Sequence, residues 1–266
     1  MRYTLTGLFV VLACLIPFQN AAWSEEKTAL DTVRLFDGTS LDHFYTFIKD
    51  RGRDSDPKNV FTIKDGLLVI SGEELGCITT HKSYKNYLLV TEFKWGGGTH
   101  APRKDKTRDS GILVNSAGPD GAYNGTWMHS IECQIIEGGT GDFIVVGDGS
   151  DALSLTAECA DEQQGSSYIY EKGGKEQTIH GGRINWWGRD PGWSDTIDFR
   201  GTQDVEHPVG EWNRLECVVV DGAITVILNG VVVNRGTKLV PAEGRIQIQS
   251  EYAEILFRQI TLHELP

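Results

Sequence analysis

The sequence predicts an all-β protein, a two-sheet antiparallel sandwich of the jelly-roll type. Short runs of β-branched and aromatic residues recur from residue 33 to residue 262, with turn dipeptides between them. No stretch shows the 3.6-residue apolar period of a long amphipathic helix. The 266 residues, 39% hydrophobic and with 31 glycines, suit one large all-β domain. A chain of this length can bury a core without disulfides or metal.

The elements follow in order. Residues 1–24 read as a signal peptide: Arg2 supplies the positive start, residues 5–18 the apolar run, and "QNAAWS" a cleavage point at Ala22 or Ser24. The run is too short to span a bilayer, so an exported protein, periplasmic or extracellular, is expected. "VLAC" offers a lipobox that would acylate Cys14, but "LIPF" stays apolar where lipoproteins usually turn polar. Residues 25–266 then form a single sandwich domain. "FTIKDGLLVI" sets Asp65-Gly66 between two β-rich runs, a hairpin signal. "YLLVTEFKW" places Tyr87, Leu89, Thr91, Phe93 and Trp95 in one phase and Glu92 and Lys94 in the other. "SGILVNS" and "SIECQIIEG" follow as strands.

In the C-terminal third, "RLECVVVDGAITVILNGVVVN" is a three-strand meander turning at Asp221-Gly222 and Asn229-Gly230. "GRIQIQSE" and "AEILFRQITLHEL" add two more strands. Residues 96–109 and 171–201 read as loops, the second a long insertion with three tryptophans. Loops of this length in a compact domain are usually functional, and both are expected to wall a site.

Charge narrows the partners. A net charge of −12 with no basic run excludes a nucleic-acid partner and disfavours an anionic membrane surface. Cys77, Cys133, Cys159 and Cys217 allow three disulfide pairings or buried free thiols, and their spacing is not that of a zinc site. A nucleotide-binding glycine motif is absent.

In order, "LFDGTSLDHF", "FTIKDGLLVI", "YKNYLLVTEFKW", "DSGILV", "SIECQIIEG", "GEWNRLECVVVDGAITVILNGVVVN" and "GRIQIQSEYAEILFRQITL" span residues 33–262. This ordered set resembles the 3-keto-disaccharide hydrolase family. The resemblance implies a concanavalin A-like jelly roll with a carbohydrate site on its concave sheet. It also implies an exported protein that cleaves glycosides whose C3 hydroxyl has become a ketone. A non-catalytic carbohydrate-binding module using the same face is the alternative.

Candidate residues follow from alternation along "SIECQII". Ile131, Cys133 and Ile135 share one face, and Glu132 and Gln134 the other. The resemblance implies an acidic residue then Gln, two apart, on this strand. A half-exposed strand with a merely wet face shows the same alternation. Retaining glycosidases need two carboxyls about 5–5.5 Å apart. Here the alternate positions read Glu132, Gln134 and Ile136, and Glu137 has the other parity.

A 3-keto sugar permits elimination instead, with one acid/base and a group to hold the enolate oxygen. Glu132 is the expected acid/base, Gln134 orients sugar or water, and Arg183 polarises the ketone. Gln249 and Glu251 share a strand phase and are expected at substrate. Trp186, Trp187, Trp193 and His180 in the insertion are expected sugar contacts, although a tryptophan also serves to anchor a loop. His100, Arg103, Lys104 and His129 are weaker candidates. A divalent cation such as calcium could draw on Asp109, Glu132, Glu137 and Asp142, with no motif for it.

Overall fold

The structure is a computed structural model describing residues 31–266. The leader at 1–24, with Cys14 in it, lies outside the described residues. The described chain begins with β1 (Thr32–Phe36), β2 (Phe44–Ile48), β3 (Gly52–Arg53), β4 (Phe61–Lys64), β5 (Leu67–Ile70) and β6 (Gly76–Thr80). Three longer strands follow, β7 (Tyr87–Thr99), β8 (Asp109–Ala117) and β9 (His129–Ile136). Then come β10 (Phe143–Val146), β11 (Ser154–Gln164), β12 (Ser167–Tyr170), β13 (Lys175–Ile179) and β14 (Gly182–Asn185). The chain ends with β15 (Asn213–Val220), β16 (Ala223–Leu228), β17 (Val231–Val240), β18 (Arg245–Ser250) and β19 (Ala253–Glu264). Among the described residues no helix is long and apolar enough to cross a membrane.

The expected hairpins form for the expected reason. At Asp65-Gly66, Asp221-Gly222 and Asn229-Gly230 both central residues have positive φ, the twist that suits a two-residue hairpin. The first sheet pairs β19 with β1, β5 and β7, and continues through β15 and β16 to β17. The second runs from β2 through β6, β18, β8, β9 and β10 to β14. β17 links the two: its start pairs with β16 and its end with β11.

Alternation decides which residues enter the core. Tyr87, Leu89, Phe93 and Trp95 of β7 meet Ile112, Val114, Ile131, Cys133 and Ile135 of the second sheet in one buried cluster. All four described cysteines are buried free thiols.

The insertion at 171–201 differs from expectation, because it contains β13 and β14. Their sequences, KEQTI and GRIN, are too polar to signal strands. Long-range pairing orders them: β13 on β11, and β14 on β10 and β12. The first loop is also shorter than predicted, since β7 continues to Thr99.

Candidate active site

The outward face of the second sheet forms the floor of a cavity of about 230 Å³. β9 contributes Glu132 and Gln134, β18 contributes Gln249, and Asp109 stands at the start of β8. Glu251 follows β18, and Arg183 enters from β14. Antiparallel register explains the convergence: Gly111 lies opposite Gln134, and Leu113 opposite both Glu132 and Gln247. A Cβ on Gly111 would collide with the Glu132 carboxyl and the Gln249 amide. Glycine there is what lets the two side chains fold over the strand between them.

The floor is buried and incompletely paired. Glu132 is 4% exposed, Gln134 2% and Gln249 1%. Gln134 Nε2 donates to Asp109 Oδ1 at 2.5 Å, and Arg103 Nη2 lies 3.3 Å from Asp109 Oδ2. Glu132 Oε1, Gln134 Oε1 and Gln249 Oε1 have no hydrogen-bond partner. Glu132 and Gln249 face each other over Gly111 and pair once Glu132 is protonated, which leaves Gln134 Oε1 as the buried oxygen open to a polar ligand.

Burial raises all three acids that share this cavity. Burial, with Asp109 nearby, pushes the Glu132 carboxyl up to about 8, against the opposing pull of Arg183. Burial raises Asp109 to about 6, with Arg103 and Arg183 restraining the shift. Glu251 is pushed well above the usual carboxylate range by burial and then by the charges of Asp109 and Glu132. At neutral pH Glu132 is therefore mainly a proton donor and Asp109 mainly a carboxylate.

Arg183 is aimed by a buried acid. Its Nη1 lies 2.9 Å from Asp142 Oδ2, and Arg189 bonds the same oxygen. Asp142 Oδ1 accepts from the Trp186 backbone N–H at 2.8 Å. Asp142 is thus a positioning residue. Glu137 is likewise committed to structure, pairing with Arg108 at 2.6 Å. Three of the four acids considered for calcium, Asp109, Glu137 and Asp142, are therefore paired with arginines. Among the described residues no group of three His, Cys, Asp or Glu is arranged to hold a metal ion.

The tryptophan insertion is where expectation and structure part. Trp186 is 1% exposed and belongs to the core, with Nε1 donating to Gly138 O, so it is not a sugar contact. Its neighbour Trp187, in the turn after β14, packs edge-on against the Trp186 ring with centroids 5.3 Å apart and covers it from the solvent side. It is 41% exposed and borders a separate cavity with Tyr170 and Val232, away from the acids. His180 faces Asp151 at 3.5 Å in the β13–β14 turn and lines neither cavity that Arg183 borders. Trp193 borders a cavity adjoining the acidic one. The aromatic wall of the acidic cavity instead comes from the β8–β9 connection. There Tyr123 and Trp127 stack with centroids 6.4 Å apart, beside Asn124. "DGAYNGTWMH" held the only advance sign, aromatics among turn residues immediately before a functional strand.

A two-sheet jelly roll with acids, amides and an arginine in a pocket on one sheet belongs to the carbohydrate-acting class. Its carbohydrate-related character rests on the family match. Residues 31–263 match the 3-keto-alpha-glucoside-1,2-lyase-like domain, and the chain belongs to that family. No curated protein matches it. A crystal structure from Parabacteroides distasonis ATCC 8503, provisionally named a glycosyl hydrolase, superposes with a TM-score of 0.51 at 19% identity. That match covers 88% of this chain and 94% of the other. Carbohydrate binding module CBM66 from Bacillus subtilis gives a TM-score of 0.42 at 9% identity, covering 89% of this chain and 98% of that one. At such identities the likeness is one of fold.

Proposed function

We propose that the protein is an exported lyase that cleaves 3-keto-glycosides at the acidic cavity. What carries the reading is one observation: the buried carboxyls of Glu132 and Asp109 face one pocket beside a guanidinium fixed by Asp142, and burial raises both. Pairs of acids pushed apart in pKa are the usual arrangement for acid/base work. The leader-like residues 1–24 support export.

The chemistry follows from the ketone. Asp109 takes the proton from C2, and the electron pair forms an enolate with C3. Arg183 holds the enolate oxygen. The enolate then collapses to a C1–C2 double bond, the C1–oxygen bond breaks, and Glu132 gives its proton to the leaving oxygen. Gln134 offers a free amide oxygen to a ring hydroxyl, and Gln249 holds the Glu132 carboxyl in place. Water adding across the new double bond would complete a net hydrolysis.

The test is turnover of a 3-keto-glucoside beside its unoxidised parent, using wild type and Glu132→Gln. Selective cleavage of the keto sugar is expected, reduced by about 10²–10⁴-fold in the variant. Full turnover by the variant would remove Glu132 from the mechanism. Cleavage of the unoxidised parent would point to a glycosidase with Glu251 as second carboxyl. The Tyr123–Trp127 stack favours a second reading, a sugar-binding module. Saturable binding of both sugars without turnover would establish it.

A further inference from the structure

The separate cavity beside Trp187 has a volume of about 320 Å³ and shares no lining residue with the acidic one. Tyr170, Lys172, Trp187, Val232 and Arg235 line it. β17 supplies two of these through a bulge. Ile227 lies opposite Val232 and Val226 opposite Asn234, so Val233 is an inserted residue, and it is buried in the core. The insertion leaves Val232 and Arg235, three apart, on the outward side, where strict alternation would part them.

The walls are fixed by bonds within the fold. Trp187 Nε1 donates to Val232 O at 2.9 Å, so the indole has spent its one polar atom. What it offers to the cavity is a flat apolar face. Tyr170, at the end of β12, is buried. Lys172 follows in a turn held by Glu158, whose Oε2 accepts from the Gly173 N–H at 2.8 Å.

Charge sets this cavity apart. The chain carries a net charge of −12, yet the charged residues lining this cavity are both cations, Lys172 and Arg235. Among the described residues neither makes an ion pair. Apart from them, the Tyr170 hydroxyl and the committed indole nitrogen, the lining side chains are apolar. A sugar ring, with hydroxyls around its rim, would bury several of them unmet. A flat apolar body with a single negative charge suits every wall.

We propose that this cavity binds an aromatic carboxylate, with its ring against Trp187 and its charge on Arg235 and Lys172. Offset stacking suits the ring, and a guanidinium can hold a carboxylate through two parallel hydrogen bonds. The assignment stands independently of the proposed reaction, because none of the five lining residues takes part in it.

The experiment is calorimetry on the full chain at low ionic strength, where exposed charges are least screened. Three probes separate the features: 4-hydroxycinnamate, 4-hydroxycinnamyl alcohol with the same ring and no charge, and glucuronate with the charge and no aromatic ring. Wild type should bind the hydroxycinnamate saturably and at least about tenfold more tightly than the alcohol, the factor expected for a hydrogen bond to a charged group. Arg235→Gln should weaken hydroxycinnamate binding by a similar factor, and Trp187→Ala should abolish it. Arg235 is exposed, so the thermal midpoint of Arg235→Gln should stay close to wild type. Should Trp187→Ala fail to fold, Arg235→Gln alone decides. Absence of saturable hydroxycinnamate binding, or binding untouched by Arg235→Gln, overturns the assignment. Glucuronate binding as tightly as the hydroxycinnamate overturns it too, in favour of an acidic sugar.

Discussion

Gly111 has no polar atom in its side chain, yet the geometry of the acids depends on it. It sits on β8 under two side chains contributed by the flanking strands. In Gly111→Ala the methyl meets only the flexible ends of Glu132 and Gln249, so both swing aside and the fold persists. Displacement of a reacting group by about 1 Å costs on the order of 10² in rate. A fall in kcat of that order, with a thermal midpoint close to wild type, is the expected outcome. An unchanged kcat would show that Glu132 works from another position. Glu132 and Gln134 were legible in the sequence because strand alternation separates them from Ile131 and Cys133. Asp109 was legible as an acid at the end of a loop and a candidate cation ligand, not as a partner of Glu132. Its place in the cavity depends on bonding to Gln134 and on Arg103, both products of register rather than of local pattern.

At the scale of elements, the meander and the hairpins were readable because their turn dipeptides and β-branched runs agree. β13 and β14 were not, since their stability comes from partners far along the chain. Trp186 and Trp187 show the same limit: the two rings pack edge-to-face, one in the core and the other half-exposed above it, an arrangement that tertiary packing and not local pattern decides. The β8–β9 connection, in contrast, supplies aromatic surface to the site from an irregular segment. Trp127→Ala should raise KM for the keto sugar by about tenfold while leaving kcat less affected, the signature of lost binding shared by ground and transition states. Steady-state kinetics across a substrate series checks this. A pure kcat effect would place the Trp127 ring in the chemical step.

For the whole molecule, the buried acids tie stability to pH. Glu132 and Asp109 have folded pKa values above their unfolded ones, so the folded protein holds more protons between the two. Their contribution is fully present below about 4, the unfolded range, and is lost as pH rises through the folded values of about 6 and 8. Thermal stability should therefore fall from pH 5 to pH 9. Glu132→Gln should flatten that slope and melt a few degrees higher than wild type at pH 9, roughly the shift expected for 1 kcal/mol or more. Turnover should follow a bell with limbs near 6 and 8, needing Asp109 ionised and Glu132 protonated. An alkaline limb that survives in a slow Glu132→Gln variant would assign it elsewhere.

The order in which the second sheet is filled has a further consequence. β18 carries Gln249 and stands between β6 and β8, although it lies near the end of the chain. Until it inserts, the cavity has no floor on that side, and Glu251 is not delivered. The site is therefore incomplete until β18 has paired on both of its edges. Chains that stop before Arg245 lack this strand, and with it one wall of the cavity.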